Sequence, residues 1–262
     1  MPDLHLRLED SESDCPGPPP ALDADVAITL LSHAEISGET LVPWGSNYTF
    51  AVALQPKGAE QVKQFGIYKP RRGERPLWDF PPRTLYLREW ASWLLANVLG
   101  WNIVPPTVVR KGPYGVGSLQ LYHAPATEAF DEDQTLEFWS QTTPAMEQIA
   151  LFDLIANNAD RKLTHLLRDQ HDRICGIDHG LTFNIAPKLR TVLWQFAGEP
   201  ISDELLEAIA QLRNDEDALR TMFLPALAPE EIEAMIDRMD MLLVRGRHPY
   251  LDPNVNIPYG WW

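Results

Sequence analysis

Only two cysteines, Cys15 and Cys175, occur in 262 residues. The first stands in an acidic, proline-rich N-terminal stretch and the second in a strand-like run, so neither a structural disulfide nor a cysteine-built zinc site is expected. No apolar run reaches about 18 residues, and no transmembrane helix is expected. The opening stretch, MPDLHLRLEDSESDCPGPPP, is acidic where a secretory leader would be basic and then apolar. The expected location is therefore cytoplasmic. Positive charge is scarce as well: 22 Lys and Arg against 37 Asp and Glu leave a net charge of −15. Such a surface repels polyanions, so nucleic acid is not an expected partner. No basic amphipathic helix is present to hold the chain at an anionic membrane.

What remains is ordinary globular material. Hydrophobic residues make up 45% and charged residues 23%, enough to bury the core of one large domain or two lobes. Residues 1–25 mix Asp, Ser and Pro without periodicity and are expected to form a disordered tail. Ala27 to Ile36 fits a helix or a strand. LVPWGSNYTFAVAL reads as two β-rich runs divided by Gly45, Ser46 and Asn47, and FGIYKP as another strand closed by Pro70. A loop rich in charge and proline, RRGERPLWDFPP, leads to helical spacing from Thr84 to Leu99, which ends at Gly100. VPPTVVR and VGSLQLYH then give two more strands joined by the turn KGPYG. Together these make a small mixed sheet with one helix against it, over 26–123. From 124 to 262 the pattern turns helical, with helices at Thr143–Asn157, Ser202–Asn214 and Pro229–Arg245. Nine tryptophans are mostly explained by burial. The closing HPYLDPNVNIPYGWW has no helical or strand period and is expected to pack back on the helical half.

The chemistry concentrates between Asn157 and Phe183, in NNADRKLTHLLRDQHDRICGIDHGLTF. Asp160 follows a long apolar helical run, and Asp178 follows the short strand RICGI. Two acidic groups presented from loops on either side of one hairpin suit a site for a metal ion and a nucleotide. Near the other end of the chain, Lys69-Pro70-Arg71-Arg72 is a basic cluster in an acidic sequence.

In its order of motifs the chain resembles the phosphatidylinositol 3- and 4-kinases and their HipA-like bacterial relatives. GIYKP, GERPLW, a helix carrying Arg88-Glu89, NADRKLTH and GIDHG follow one another as they do there. From about Thr40 onward it looks like an uncharacterised bacterial family distantly related to those kinases. The resemblance implies an α+β, two-lobed protein-kinase-like (PI3/4-kinase-like) fold, with a small β-rich N-lobe and a mainly helical C-lobe. It also implies ATP with Mg or Mn as cofactors. Lys69 then corresponds to the lysine on the α and β phosphates, and Glu89 to its partner, a role open also to Glu74. Ser46 and Asn47 would cover the phosphates, and Gln120, Leu121 and Tyr122 would run along the adenine. Leu121 and Ile177 are candidates to sandwich the ring. Asp160 would act on the acceptor hydroxyl, Arg161 would brace its loop, and Asp178 would hold the metal.

One position departs from the pattern. Where those kinases place a metal-binding Asn five residues after the catalytic aspartate, this chain has His165. An imidazole nitrogen suits Mn²⁺, Fe²⁺ or Zn²⁺ better than Mg²⁺. Three readings stay open: a phosphotransferase acting on a protein or small molecule, a nucleotide sensor without transfer, and a phosphoesterase whose metals rest on Asp160, His165, Asp178 and His179.

Overall fold

The computed structural model describes residues 22–43, 47–56, 58, 64–126 and 132–260. Its contacts divide the chain into two compact units. One runs to Tyr86 and takes in Pro106–Ala124; the other comprises Leu87–Pro105 and everything from Pro125. Residues 1–21 of the expected tail lie outside the described residues.

The ambiguous stretch around Ala27 resolves as a helix followed by a strand. Helix α1, Ala24–His33, is capped by the Asp23 carboxylate, which accepts from the Asp25 N–H at 3.0 Å. Strand β1, Glu35–Leu41, begins two residues later. With β2 (Phe50–Gln55), β3 (Gln64–Pro70), β4 (Thr107–Gly112) and β5 (Gly115–Leu121) it forms a five-stranded sheet in the order β1-β2-β3-β5-β4. The expected mixed sheet is wholly antiparallel, because β5 returns beside β3 and β4 takes the edge.

Strand alternation decides which side chains this sheet offers. One face carries Val52, Leu54, Tyr68, Val108 and Leu119, which form a core with Leu31 and Ala34 at the end of α1. Arg110 ties the helix down by donating to the Leu31 and Ala34 carbonyls at 2.7 and 2.9 Å. A helix packed on this sheet is thus α1, from the stretch that the sequence left open between helix and strand. Lys69 lies on the opposite face, paired in register with Ser118, as Ile67 is with Gln120 and Ala51.

Helix α2, Leu85–Val98, runs between the two units in sequence. Its Ala91, Leu95 and Ala96 belong to the core of the second unit. After α3 (Glu132–Trp139), α4 (Pro144–Ala156) forms the centre of that unit. Thr143 caps it, and Met146, Ile149, Leu151, Phe152 and Ile155 are all buried. A helix apolar on nearly every side has to be surrounded, and each such side chain contributes about 1.5–3 kcal/mol. The surrounding elements are the hairpin β6 (Leu166–Arg168) and β7 (Ile174–Gly176), and helices α5 (Asp203–Arg213), α6 (Glu216–Phe223) and α7 (Pro229–Arg245). Among the described residues no helix is long and apolar enough to cross a membrane.

The C-terminal segment lies against the loop after Asp178. Asn256 exchanges hydrogen bonds with the Thr191 N–H and the Leu189 carbonyl, and the Arg190 guanidinium stands 4.9 Å over the Tyr259 ring. Trp261 and Trp262 lie outside the described residues.

Candidate active site

Helix α4 ends because Asn157 adopts a left-handed conformation, φ 50°, that few side chains tolerate. Its side chain then serves three backbone groups of the loop beyond Asp178. Nδ2 donates to the Asn184 and Ala186 carbonyls at 2.8 and 2.7 Å, and Oδ1 accepts from the Lys188 N–H at 2.8 Å. Asn158, next in the chain, turns inward. It donates to Asp153 at 2.8 Å and accepts from the Asp160 N–H at 3.0 Å. Asn157 thus holds the loop after Asp178, and Asn158 the loop bearing Asp160.

Arg161 is completely buried and bonds four residues. Its Nε and Nη2 donate to the two oxygens of Asp153, both at 2.8 Å, in a two-pronged pair. Nη1 donates to the carbonyls of His165 and Ile177, each at 3.2 Å, and Nη2 to His179 Nε2 at 2.8 Å. Gly176 is required beneath it, since a Cβ there would stand 2.9 Å from Nη1. One cation thus links α4, the loop after Asp160 and the loop that presents Asp178. Asp153 was missed in the sequence, although a lone acid inside AMEQIALFDLIA is a signal: a carboxylate in an apolar helix needs a buried cation.

Asp160 is partly buried, and burial raises its carboxyl above the ordinary aspartate value; Lys162, 2.9 Å away, offsets part of that rise. His165 Nδ1 lies 2.8 Å from the Asp160 carbonyl, which can only accept, so the ring proton is on Nδ1. Nε2 then turns its lone pair toward Asp178, 3.5 Å from Oδ2. Burial holds the imidazole below its ordinary pKa, with Asp178 opposing. Asp178 itself is half exposed and left-handed at φ 59°, a strained conformation for a residue other than glycine. Among the described residues no group of three or more His, Cys, Asp or Glu is arranged to hold a metal.

His179 is wholly buried. Its backbone N–H donates to Glu89 Oε2 at 3.0 Å, and its ring lies edge-on to Phe152. Glu89 is thus a buried carboxylate tied to the Asp178 loop rather than a solvated helix residue.

The remaining candidates belong to the first unit. Glu74 Oε1 accepts from the Tyr86 N–H at 2.9 Å and so closes the start of α2. Ser46 lies outside the described residues. Asn47 accepts from the Arg75 N–H at 2.7 Å, which fixes its side chain to the arginine-rich loop. Gln120 is buried and donates to Thr107 Oγ1 at 2.9 Å. The N–H groups of Leu121 and Tyr122 donate to the carbonyls of Pro106 and Phe65. Base recognition along this segment would therefore use other backbone atoms.

Comparison with known proteins places the fold. No family model matches the chain. Protein Rv2133c of Mycobacterium tuberculosis (strain ATCC 25618 / H37Rv) is 37% identical over 230 residues, covering 74% of this chain and 81% of that protein. The chain belongs to the Rv2133c family. Among solved structures, hydra Fam20 with sugar matches with a TM-score of 0.58 at 16% identity, over 86% of this chain and 90% of that one. The Golgi casein kinase follows at 0.47 and 14%, over 90% and 82%, and the Helicobacter pylori proinflammatory kinase CtkA at 0.46 and 12%, over 80% and 92%. The fold of this Rv2133c-family chain is kinase-like, with an antiparallel sheet unit and a helical unit. The narrower likeness to inositol-lipid kinases and HipA rests on the motifs alone.

Proposed function

We propose that the protein is an ATP-dependent phosphotransferase acting on a hydroxyl of a protein or small molecule. The observation that carries this reading is the Asp160–His165–Asp178 arrangement in the second unit. The two carboxylates flank one hairpin, and the imidazole between them has its proton directed at the Asp160 carbonyl and its lone pair at Asp178. In this reading Asp160 accepts the proton of the attacking hydroxyl. Its raised pKa makes it a better base than an ordinary aspartate, and the Lys162 ammonium favours its ionised form. Arg161 holds the loop and touches no substrate. Lys69 meets the nucleotide phosphates as a point charge. Asp178 and His165 would hold Mn²⁺ or Mg²⁺, the mixed nitrogen and oxygen set favouring Mn²⁺. When bound, such an ion offsets the charge of the phosphate oxygens.

The phosphoesterase reading fits less well. His179 Nε2 is occupied by Arg161 and Asp160 by Lys162, so two of the four ligands it requires are engaged elsewhere. A nucleotide sensor without transfer remains the second reading, favoured by the histidine at the asparagine position.

Calorimetric titration with ATP tests the nucleotide part. Binding should need a divalent cation, with Mn²⁺ preferred to Mg²⁺. Asp178→Asn should weaken it by about tenfold or more, and His165→Asn should reverse the metal preference. Metal-independent binding, or none, would count against both nucleotide readings.

A further inference from the structure

The segment after β3 holds an arginine-rich surface that the proposed chemistry does not use. In a chain of net charge −15, the stretch from Arg71 to Arg83 has four arginines and two acids. Arg71, Arg72, Arg75 and Arg83 are all exposed, and among the described residues none forms an ion pair. The two acids are half-buried, and Glu74 is engaged with the Tyr86 N–H. The charge this segment shows to solvent is therefore guanidinium. Between the arginines stands Trp78, 94% exposed, beside the exposed Leu77.

The segment is also pinned. The Tyr48 N–H donates to the Gly73 carbonyl at 3.1 Å, and the Arg75 N–H to Asn47 Oδ1 at 2.7 Å. A Cβ on Gly73 would stand 2.6 Å from that of Tyr48, so the loop sits directly on the β1–β2 connection. Pro76, Pro81 and Pro82 restrict φ at three further positions. Thr84 donates back to the Pro81 carbonyl at 2.7 Å. A loop held in this way loses little entropy when a partner binds.

We propose that Arg71–Arg83 is a docking surface for an acidic segment of a partner polypeptide that also carries an apolar anchor. Arginine forks pair with carboxylates, and exposed tryptophan and arginine are the side chains that dominate protein recognition. The acid-rich remainder of the molecule repels a long polyanion that would run past this loop, which favours a short acidic peptide over nucleic acid. Calling that peptide the phosphoryl acceptor rests on the phosphotransferase reading; the docking itself does not. A surface of one loop gives transient binding that weakens with salt.

The test uses the full chain without nucleotide and a fluorescein-labelled peptide rich in Asp and Glu with one central Phe, followed by fluorescence anisotropy. The expected result is binding at low salt that weakens about tenfold in Trp78→Ala, and at least as much in the triple variant Arg72→Ala, Arg75→Ala, Arg83→Ala. Both variants should keep the parental melting temperature and calorimetric ATP affinity, since all the changed side chains are exposed. Equal peptide affinity in the triple variant overturns the proposal, as does tighter binding of a single-stranded oligonucleotide of equal length. Peptide docking without any ATP binding would instead reject the phosphotransferase reading and leave the docking surface standing. ATP binding without peptide docking rejects the surface alone.

Discussion

At the scale of single residues, buried polar groups carry the account. His248 is a simple case: it is buried beside the Phe196 ring, and its Nε2 has no hydrogen-bond partner among the described residues. Burial lowers its pKa, while Glu147 and Glu199 pull the other way. Above about pH 6.5 the imidazole is neutral in both folded and unfolded chains. As pH falls below that value the unfolded chain takes up the proton first, so stability is lost as pH falls toward the lowered folded value. One such group contributes a slope of up to about 1.4 kcal/mol per pH unit. His248→Phe should flatten the fall in urea-derived stability between neutral and mildly acid pH. His165 acts in the same direction, so the slope should shrink rather than vanish. An unchanged slope would place the sensitivity elsewhere.

At the scale of elements, the hairpin carrying the two aspartates was legible because short apolar runs alternate with polar turns. Its anchoring was not. The Asp153–Arg161 pair joins residues eight apart across a left-handed cap, and periodicity says nothing about such a contact. Helix α2 shows the same limit: its apolar spacing announces a buried face but not the core that buries it. Helix α6, eight residues capped by Asp215, was too short to stand out. The pair itself makes a prediction. Asp153→Ala strands a buried guanidinium and should cost about 3–5 kcal/mol. Amide exchange should rise first at Gly176 and Ile177, whose N–H groups donate to the Ile103 and His165 carbonyls. A loss below about 1 kcal/mol would mean that Arg161 is held by its carbonyl contacts alone.

At the scale of the whole molecule, the kinase-like architecture could be read from the order of motifs, and the structural likeness to hydra Fam20 supports it. The sequence also singled out Asp160, His165 and Asp178, and the β6–β7 hairpin brings His165 Nε2 to 3.5 Å from Asp178. Distant packing, such as α1 on the sheet, had to await the structure. Whether the protein transfers a phosphoryl group is decided most directly by incubating it with γ-labelled ATP and Mn²⁺ in cell extract. The account predicts labelling of an acceptor that falls about 100-fold or more in Asp160→Ala, the loss expected when a general base is removed. Equal labelling by the two proteins, or none by a wild-type protein that binds ATP, would contradict it.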